Sequence, residues 1–161
     1  MKADLHNPSY YSDGLLSPSE VVKLASKASC DLFSLTDHDT TEGIAEAKLE
    51  ADKVGLNLIN GVEISAFWRN MAIHVVGLGV DVNNDILQTG LQHNKDLRKI
   101  RAEKIALSLR RSGILDALEK AQIISGGHML TRTHFAQMLI QEGYCKDMKS
   151  VFRRYLTGKK P

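Results

Sequence analysis

Residues 32–40 read Leu-Phe-Ser-Leu-Thr-Asp-His-Asp-Thr, and this stretch decides the fold. An apolar run of strand length stops at Asp37, His38 and Asp39, and a helical pattern follows from Glu42. This order predicts a buried parallel strand that presents polar side chains at its C-terminal end. In α/β sheets and barrels, ligands bind and chemistry takes place at that end.

The same polar residues have a simpler explanation. Thr40 or Thr41 would cap the following helix, and Asp39 would complement the helix dipole. The residues at the other predicted strand ends decide between the two interpretations.

The bulk composition describes an ordinary soluble domain. The chain has 161 residues, of which 43% are hydrophobic and 25% charged, and this supports one domain with a core. A net charge of +2 is too small by itself to argue for binding to nucleic acid or membrane. No apolar stretch approaches the ~20 residues needed to span a bilayer. Cys30 and Cys145 lack CxxC spacing, and the first residues lack the apolar core of a signal peptide, so we expect a cytoplasmic protein without disulfides or membrane contact.

The first half of the chain predicts a βαβαββ order. A short strand ends near His6, and Ser17-Pro18-Ser19-Glu20 begins a helix with proline at its first position. The remaining elements are a strand at 32–36, a helix at 42–54 that ends at Gly55, a strand at 56–59 that continues through 62–65, and a strand at 73–80 that begins at Ile73-His74.

The second half predicts helices. Residues 85–112 are helical and strongly basic, and shorter helices follow at 115–123, 131–140 and 148–155. Clustered Lys and Arg between Lys95 and Arg111 could track phosphates. Because acidic residues are interspersed, a solvated surface is the simpler interpretation.

Histidine and acidic side chains recur at the predicted strand ends. Three of the six histidines, His6, His38 and His74, lie there. Asp13, Asp37, Asp39 and Glu63 lie at strand ends or in the loop after the first strand. Imidazole and carboxylate together suit zinc, manganese or iron. Four loops that bring such groups to one sheet edge therefore predict a metal site.

Five motifs resemble the polymerase-and-histidinol-phosphatase (PHP) phosphoesterases. They are Asp4-Leu5-His6, Ser12-Asp13-Gly14, Thr36-Asp37-His38-Asp39-Thr40, Gly61-Val62-Glu63-Ile64-Ser65 and Ile73-His74-Val75-Val76-Gly77. The chain is most similar to the bacterial branch that hydrolyses nucleotide phosphates and trims RNA from the 5′ end. The resemblance implies an α/β fold, the N-terminal part of a distorted (β/α)7 barrel with a helical insertion. Residues 1–81 would be the N-terminal half of the barrel, 82–157 the insertion or lid, and 158–161 the start of the return to the barrel.

The resemblance also implies up to three divalent cations, manganese, zinc or iron. His6 and Glu63 would hold the first cation, Glu63 would bridge to a second held by His74, and Asp13 and His38 would hold the third. Such a cluster generates a hydroxide near neutral pH and clamps phosphoryl oxygens.

Four further residues receive roles from the same resemblance. Asp37 and Asp39 would serve catalysis by orienting the metal ligands. Arg132 and His134 match a segment of the insertion that faces the substrate phosphate, and they suit it as hydrogen-bond donors. Solvation on a helix surface is the alternative for His134.

The chain departs from the family pattern in two places. The family's opening His-x-His motif reads His6-Asn7-Pro8 here, and Pro8 has no ligand atom. The remaining ligands of the family come from C-terminal strands that would follow Pro161. Each cation would keep two side-chain ligands, whereas catalytic zinc usually has three. We therefore expect a fragment, a split gene or a decayed copy, whose open sheet edge is covered by a missing C-terminal half or by a second copy of the chain.

The sequence predicts a metal-dependent phosphoesterase that hydrolyses nucleotide phosphates or RNA 5′ ends with a metal-activated hydroxide. The alternative is a catalytically inactive PHP-like module that binds nucleotide, RNA or a protein partner. Amidohydrolase-like chemistry on another substrate is a third possibility, since many hydrolases place His, Glu and Asp at barrel strand ends.

Overall fold

A computed structural model describes residues 1–69 and 71–157. They form two compact units, and the division falls between Lys95 and Asp96. The first unit contains β1 (Ala3–Asn7), α1 (Pro18–Lys27), β2 (Leu32–Leu35), α2 (Ile44–Val54), β3 (Asn57–Trp68), β4 (Met71–Leu78) and the start of α3 (Asp85–Arg111). The second contains the rest of α3, α4 (Ala117–Ile124), α5 (Arg132–Gln141), α6 (Met148–Val151) and a π-helical turn (Phe152–Leu156).

The division between the two compact units lies inside α3. The first turns of α3 are bonded to the loop after β2, because Gln88 Nε2 donates to Thr41 Oγ1 at 3.0 Å and Lys95 pairs with Glu42. These contacts place the start of the expected insertion within the first unit.

The four strands form one sheet in the order β1-β2-β3-β4. The pairs β1–β2 and β2–β3 are parallel, as the sequence predicts for a βαβαβ run. Helices α1 and α2 pack on one face of the sheet over Phe33 and Leu35, which are almost completely buried. The α/β fold class expected from the sequence is confirmed.

Strand β3 has two different partners along its length. Residues 57–60 pair with β2 in parallel, and residues 61–68 pair with β4 in antiparallel. The chain crosses closely at Gly61, where a Cβ would collide with Ser34 Oγ and lie 2.8 Å from the carbonyl oxygen of Leu35. Glycine at this position therefore lets β3 run past β2 and continue beyond its end.

The antiparallel arrangement corrects one expectation. The sequence placed His74 and Glu63 at strand ends, but both lie within strands, since β4 begins at Met71 and β3 extends to Trp68. Apolar alternation marks a strand without giving its direction, and a tight hairpin between these strands makes the pair antiparallel.

Helix α1 begins as the sequence predicts. Ser17 Oγ accepts from the Glu20 N–H at 3.2 Å, and the Glu20 carboxylate accepts from the Ser17 N–H at 2.8 Å. This reciprocal pair is a capping box, with Pro18 at the first helical position. Helix α2, in contrast, begins at Ile44 without a side-chain cap. Its expected start at Glu42 with a threonine cap is wrong, because Thr40 Oγ1 accepts from the Glu42 N–H within the preceding turn.

The second unit is helical, as expected. Its core consists of buried side chains from α3 to the π-helical turn, with Phe135, Leu139 and Val151 completely buried. No helix among residues 1–69 and 71–157 is long and apolar enough to cross a membrane.

The outer strand β4 and the end of β3 are exposed. Trp68 and Met71 are each 60% exposed, and Ile73 and Val75 are also exposed. Because side chains alternate along a strand, these residues share the face opposite to His74. The first unit therefore has an apolar surface beside an unpaired strand edge, of the kind that associates with other strands.

Candidate metal centre

The loop after β2 is fixed by a buried carboxylate. Asp37 is 2% exposed and accepts three hydrogen bonds of 2.7 Å, from the Ser9 N–H, Ser9 Oγ and Ser12 Oγ. Burial raises the pKa of Asp37 above its ordinary value, although the hydrogen bonds from Ser12 and Ser9 oppose this shift. The bonds hold the loop after β1, and with it Asp13, against the tip of β2.

A second carboxylate ties this tip to β3 and α3. Asp39 is completely buried and accepts from the Ser65 N–H at 2.8 Å, Ser65 Oγ at 2.7 Å and Asn94 Nδ2 at 2.8 Å. The same Asn94 amide donates to the Ser65 carbonyl oxygen at 2.8 Å. Asp39 has a φ of 51°, a left-handed conformation that is uncommon for residues other than glycine, although aspartate adopts it more often than most. The bond network holds this strained turn in place.

Backbone bonds continue the sheet past the end of β2. The Asp39 N–H donates to the Glu63 carbonyl oxygen at 2.9 Å, and the Glu63 N–H donates to the Asp37 carbonyl oxygen at 3.0 Å. His38 and Glu63 thus stand opposite each other in a parallel bridge. The helix-capping interpretation of Thr40, Thr41 and Asp39 is therefore wrong: the Asp39 carboxylate serves the sheet edge.

Glu63 lies at the centre of the histidine cluster. Its Oε2 is 2.8 Å from His6 Nε2, and its Oε1 is 2.7 Å from His74 Nδ1. His38 Nδ1 lies 3.6 Å from Oε2, and the rings of His38 and His74 meet edge to face at 4.7 Å. Asp13 Oδ2 lies 3.8 Å from His38 Nε2. The structure thus brings together all five side chains expected to bind metal.

The electrostatics of the cluster favour an ionised Glu63. Burial alone would raise the pKa of Glu63, but the contact with His6, the neighbouring His38 and the contact with His74 together lower it below its ordinary value. An anionic carboxylate with two oxygens directed at different imidazoles is a suitable bridging ligand.

The donor set fits a divalent transition metal. Ligand atoms of His38, Glu63 and His74 all lie within 4.8 Å of one another, and His6 adds a third imidazole nitrogen beside Glu63. Mixed imidazole and carboxylate donors suit zinc, manganese and iron. His6 and His74 are about half exposed, so the cluster is open to solvent and to a substrate.

Arg132 and His134 lie in the helical unit. Arg132 is exposed at the first position of α5, where a donor is available to an anion. His134 is 4% exposed, and its Nδ1 accepts from the Thr131 N–H at 3.0 Å. The alternative of a solvated helix-surface histidine is therefore wrong, because this side chain caps its own helix.

Sequence reasoning did not single out Ser9, Ser65 or Asn94. Ser65 lies within a quoted motif, and Ser9 stands near Asp13, so a hydroxyl close to a predicted ligand is the signal that could have found them. Asn94 gives no such signal, since it reaches Asp39 from 55 residues away along the chain.

Fold and site together define an α/β protein with a candidate metal centre at one edge of a mixed sheet. The side chains of this centre come from four successive parts of the chain, in the order predicted from the motifs. The chain belongs to the PHP-domain family, because its sequence matches the PHP domain over residues 4–158.

Two relatives have curated activities. The chain is 42% identical over 159 residues to a 3′,5′-nucleoside bisphosphate phosphatase of Chromobacterium violaceum, covering 98% of this chain and 56% of that protein. It is 41% identical over 156 residues to the 5′-3′ exoribonuclease Rnm of Escherichia coli, covering 96% of this chain and 53% of that protein. The chain thus spans about half the length of these relatives. The resemblance to this phosphoesterase branch is confirmed.

Solved structures share the fold. A C. violaceum protein described as an amidohydrolase, with bound sulfate and no metal, is 41% identical with a TM-score of 0.93, covering 100% of this chain and 57% of that one. A Bifidobacterium adolescentis protein described as a candidate metal-dependent phosphoesterase is 23% identical with a TM-score of 0.89, covering 99% of this chain and 57% of that one. At that identity the second likeness shows the fold alone.

Proposed function

We propose that this chain supplies metal ligands to a phosphoesterase that hydrolyses nucleotide phosphates or RNA 5′ ends. The observation that carries the proposal is Glu63, whose two oxygens contact His6 and His74 while His38 stands beside them. The named activities of the two curated relatives supply the substrate classes.

Each ligand has a distinct role in this proposal. His6 and Glu63 would hold one cation, Glu63 and His74 a second, and Asp13 and His38 a third. Bound divalent cations lower the pKa of water and polarise phosphoryl oxygens. Glu63 sets the spacing of the first two sites, because one rigid carboxylate serves both.

Residues around the ligands keep them in position. Asp37 fixes the loop that carries Asp13, and Asp39 fixes β3, which carries Glu63. Ligands held by such hydrogen bonds lose little conformational entropy when the metal binds. Arg132 offers a cation for a substrate phosphate, and buried His134 holds the start of α5, which carries Arg132.

Metal analysis and turnover test this function together. The purified chain is loaded with Mn²⁺, metal per chain is measured by elemental analysis, and phosphate release from nucleoside 3′,5′-bisphosphates is followed. We expect bound metal and phosphate release in the parent chain, and loss of both in Glu63→Gln. His93→Gln is the matched control, because His93 is exposed on α3 and outside the cluster.

Pro8 motivates the second candidate, an inactive module that binds RNA or nucleotide. A chain that binds no metal yet retains RNA would favour this module over the phosphoesterase. Pro8→His separates the two explanations for weak metal binding. A gain in metal affinity identifies the missing imidazole as the defect, and no gain shows that position 8 does not limit metal binding.

A further inference from the structure

The net charge of the chain is small, but its two compact units carry opposite charges. Residues 1–95 contain 7 Lys and Arg against 13 Asp and Glu, a net charge of −6. Residues 96–157 contain 12 Lys and Arg against 6 Asp and Glu, a net charge of +6. The acidic region contains the candidate metal ligands, and the helical region has the charge expected for contact with a polyanion.

The basic residues early in α3 do not provide that contact. Lys95 pairs with Glu42, and Lys99 lies 3.4 Å from Asp96. Arg98 is 9% exposed. These cations are engaged or covered, so the surface suggested by the sequence between Lys95 and Arg111 is mostly neutralised at its start.

A denser group of cations lies near the C-terminal end of the helical unit. We call it the basic segment, and it comprises the exposed side chains Lys146, Lys149, Arg153 and Arg154 together with the half-buried Tyr155. Within the described part of the chain, no hydrogen bond or ion pair engages Lys149 or Arg153. Their spacing of four residues places both on one side of the helical turns. The only acid among residues 146–155 is Asp147.

Asp147 offsets only one of the four positive charges of the segment. Its carboxylate accepts from the Ser150 N–H at 2.7 Å and caps α6. That bond, with the nearby charges of Lys146 and Arg153, lowers the pKa of Asp147.

The inner side of the segment is held by the core. Val151 is completely buried, and Phe152, Tyr155 and Leu156 pack in the same helical cluster. The cations are consequently fixed on a folded surface. A membrane-binding helix would instead expose large apolar side chains beside its cations. Here Met148 is the one large apolar side chain among residues 146–155 that is exposed, at 37%, whereas Val151 is buried and Phe152 and Tyr155 are partly buried against the core, which favours a soluble polyanion.

An arginine and an aromatic ring complete the surface. The Arg154 guanidinium lies 5.1 Å from the centre of the Tyr155 ring. Arginine and aromatic side chains beside a basic groove are typical of surfaces that bind single-stranded nucleic acid.

We propose that the basic segment binds the sugar–phosphate backbone of single-stranded RNA, as a contact separate from the reacting phosphate. That the segment binds a polyanion follows from its charge alone. That the polyanion is RNA rests on the proposed function.

Fluorescence anisotropy in EDTA tests the proposal without metal or turnover. The probe is a labelled single-stranded RNA of about ten nucleotides, titrated with the full chain at several salt concentrations. We expect the double substitution Lys149→Ala, Arg153→Ala to weaken RNA binding about tenfold at 0.1 M salt and to reduce the salt slope by about 1.4. The double substitution Lys27→Ala, Lys48→Ala removes two exposed lysines of the acidic region as a matched control, and we expect it to leave the slope unchanged.

A second pair of variants separates charge from folding. Lys149→Arg with Arg153→Lys keeps both charges, and we expect RNA binding to be retained. An unchanged slope in the alanine pair would overturn the proposal, as would an equal loss in the control pair. Binding to phosphatidylcholine vesicles containing phosphatidylserine, lost in the alanine pair while RNA binding persists, would assign the segment to a membrane instead. Failure of phosphate release with these RNA results intact would remove the proposed activity and leave the RNA contact standing.

Discussion

Replacing Asn94 by alanine should weaken metal binding although Asn94 is not a metal ligand. Its amide donates one hydrogen bond of 2.8 Å to the Asp39 carboxylate and one of 2.8 Å to the Ser65 carbonyl oxygen. Both partners belong to the segments that place His38 opposite Glu63. Without the amide, the strained turn at Asp39 keeps only part of its support.

The magnitude follows from the two bonds. A hydrogen bond to a charged group contributes about 1.5–3 kcal/mol, and a neutral one about 0.5–1.5 kcal/mol. Because Asp39 is completely buried, water cannot easily replace the lost donor. We therefore expect Asn94→Ala to lower the free energy of unfolding by about 2–4 kcal/mol. Loss of a group that orients ligands should also weaken metal affinity by about 10–100-fold.

Gln88→Ala provides the matched control. Gln88 lies on the same helix and also donates two hydrogen bonds, to Thr41 Oγ1 at 3.0 Å and to the Val82 carbonyl oxygen at 2.8 Å. Neither partner carries or directly braces a candidate ligand. Urea unfolding in EDTA measures stability for both variants, and calorimetric titration with Mn²⁺ or Zn²⁺ measures metal affinity. We expect both variants to lose stability, but only Asn94→Ala to lose metal affinity. Parental metal affinity in Asn94→Ala, or an equal loss in Gln88→Ala, would refute the reasoning.

Three other predictions concern the fold. Gly61→Ala should destabilise the chain by about 1–3 kcal/mol or more, because the new methyl group collides with Ser34. Thermal unfolding measures this change. Unchanged stability would show that β2 and β3 can separate locally. Hydrogen bonds from the Ser17 N–H and the Ser17 hydroxyl lower the pKa of the Glu20 carboxyl in the folded chain. The ionised carboxylate therefore stabilises the fold above the pKa of Glu20 in the unfolded chain. This stabilisation is lost as pH falls through the pKa of Glu20 in the folded chain. In urea titrations below about pH 4.5, Glu20→Gln should therefore lose less stability on acidification than the parent chain. An equal loss of stability in the two chains would contradict this. The chain should self-associate through its exposed β4 edge at tens of micromolar. Light scattering should show a mass that rises with the concentration of the parent chain and falls toward that of the monomer in Val75→Lys. A monomeric parent chain would refute this.

Local sequence signals predicted the elements better than their relationships. The start of α1 was predictable because Ser17, Pro18 and Glu20 form a capping box within four residues. The strand before Asp37 was predictable because its apolar run ends abruptly. The direction of β4 was not, since alternation of apolar residues is the same in parallel and antiparallel strands.

The candidate site divides in the same way. His6 and His38 could be assigned to one cluster because they lie at the ends of neighbouring strands, whereas Glu63 joins them from within β3. The hydrogen bond between Asn94 and Asp39 could not be predicted, because it depends on where α3 lies against the loop after β2. The burial of His134 also escaped prediction, since its Nδ1 contact with Thr131 depends on how α5 packs.

Strand β3 pairs first with β2 and then with β4, so the metal centre depends on the number of residues between the two pairings. Successive side chains of a strand point to opposite faces, so one extra residue within 57–60 would bring Val62 to the place of Glu63. The inserted chain would present an isopropyl group to the histidines, and it would bring Asn60 to the close crossing at position 61, where a Cβ collides with Ser34. Single-residue insertions in β3 should thus erase the centre in one step, whereas point substitutions remove one ligand at a time.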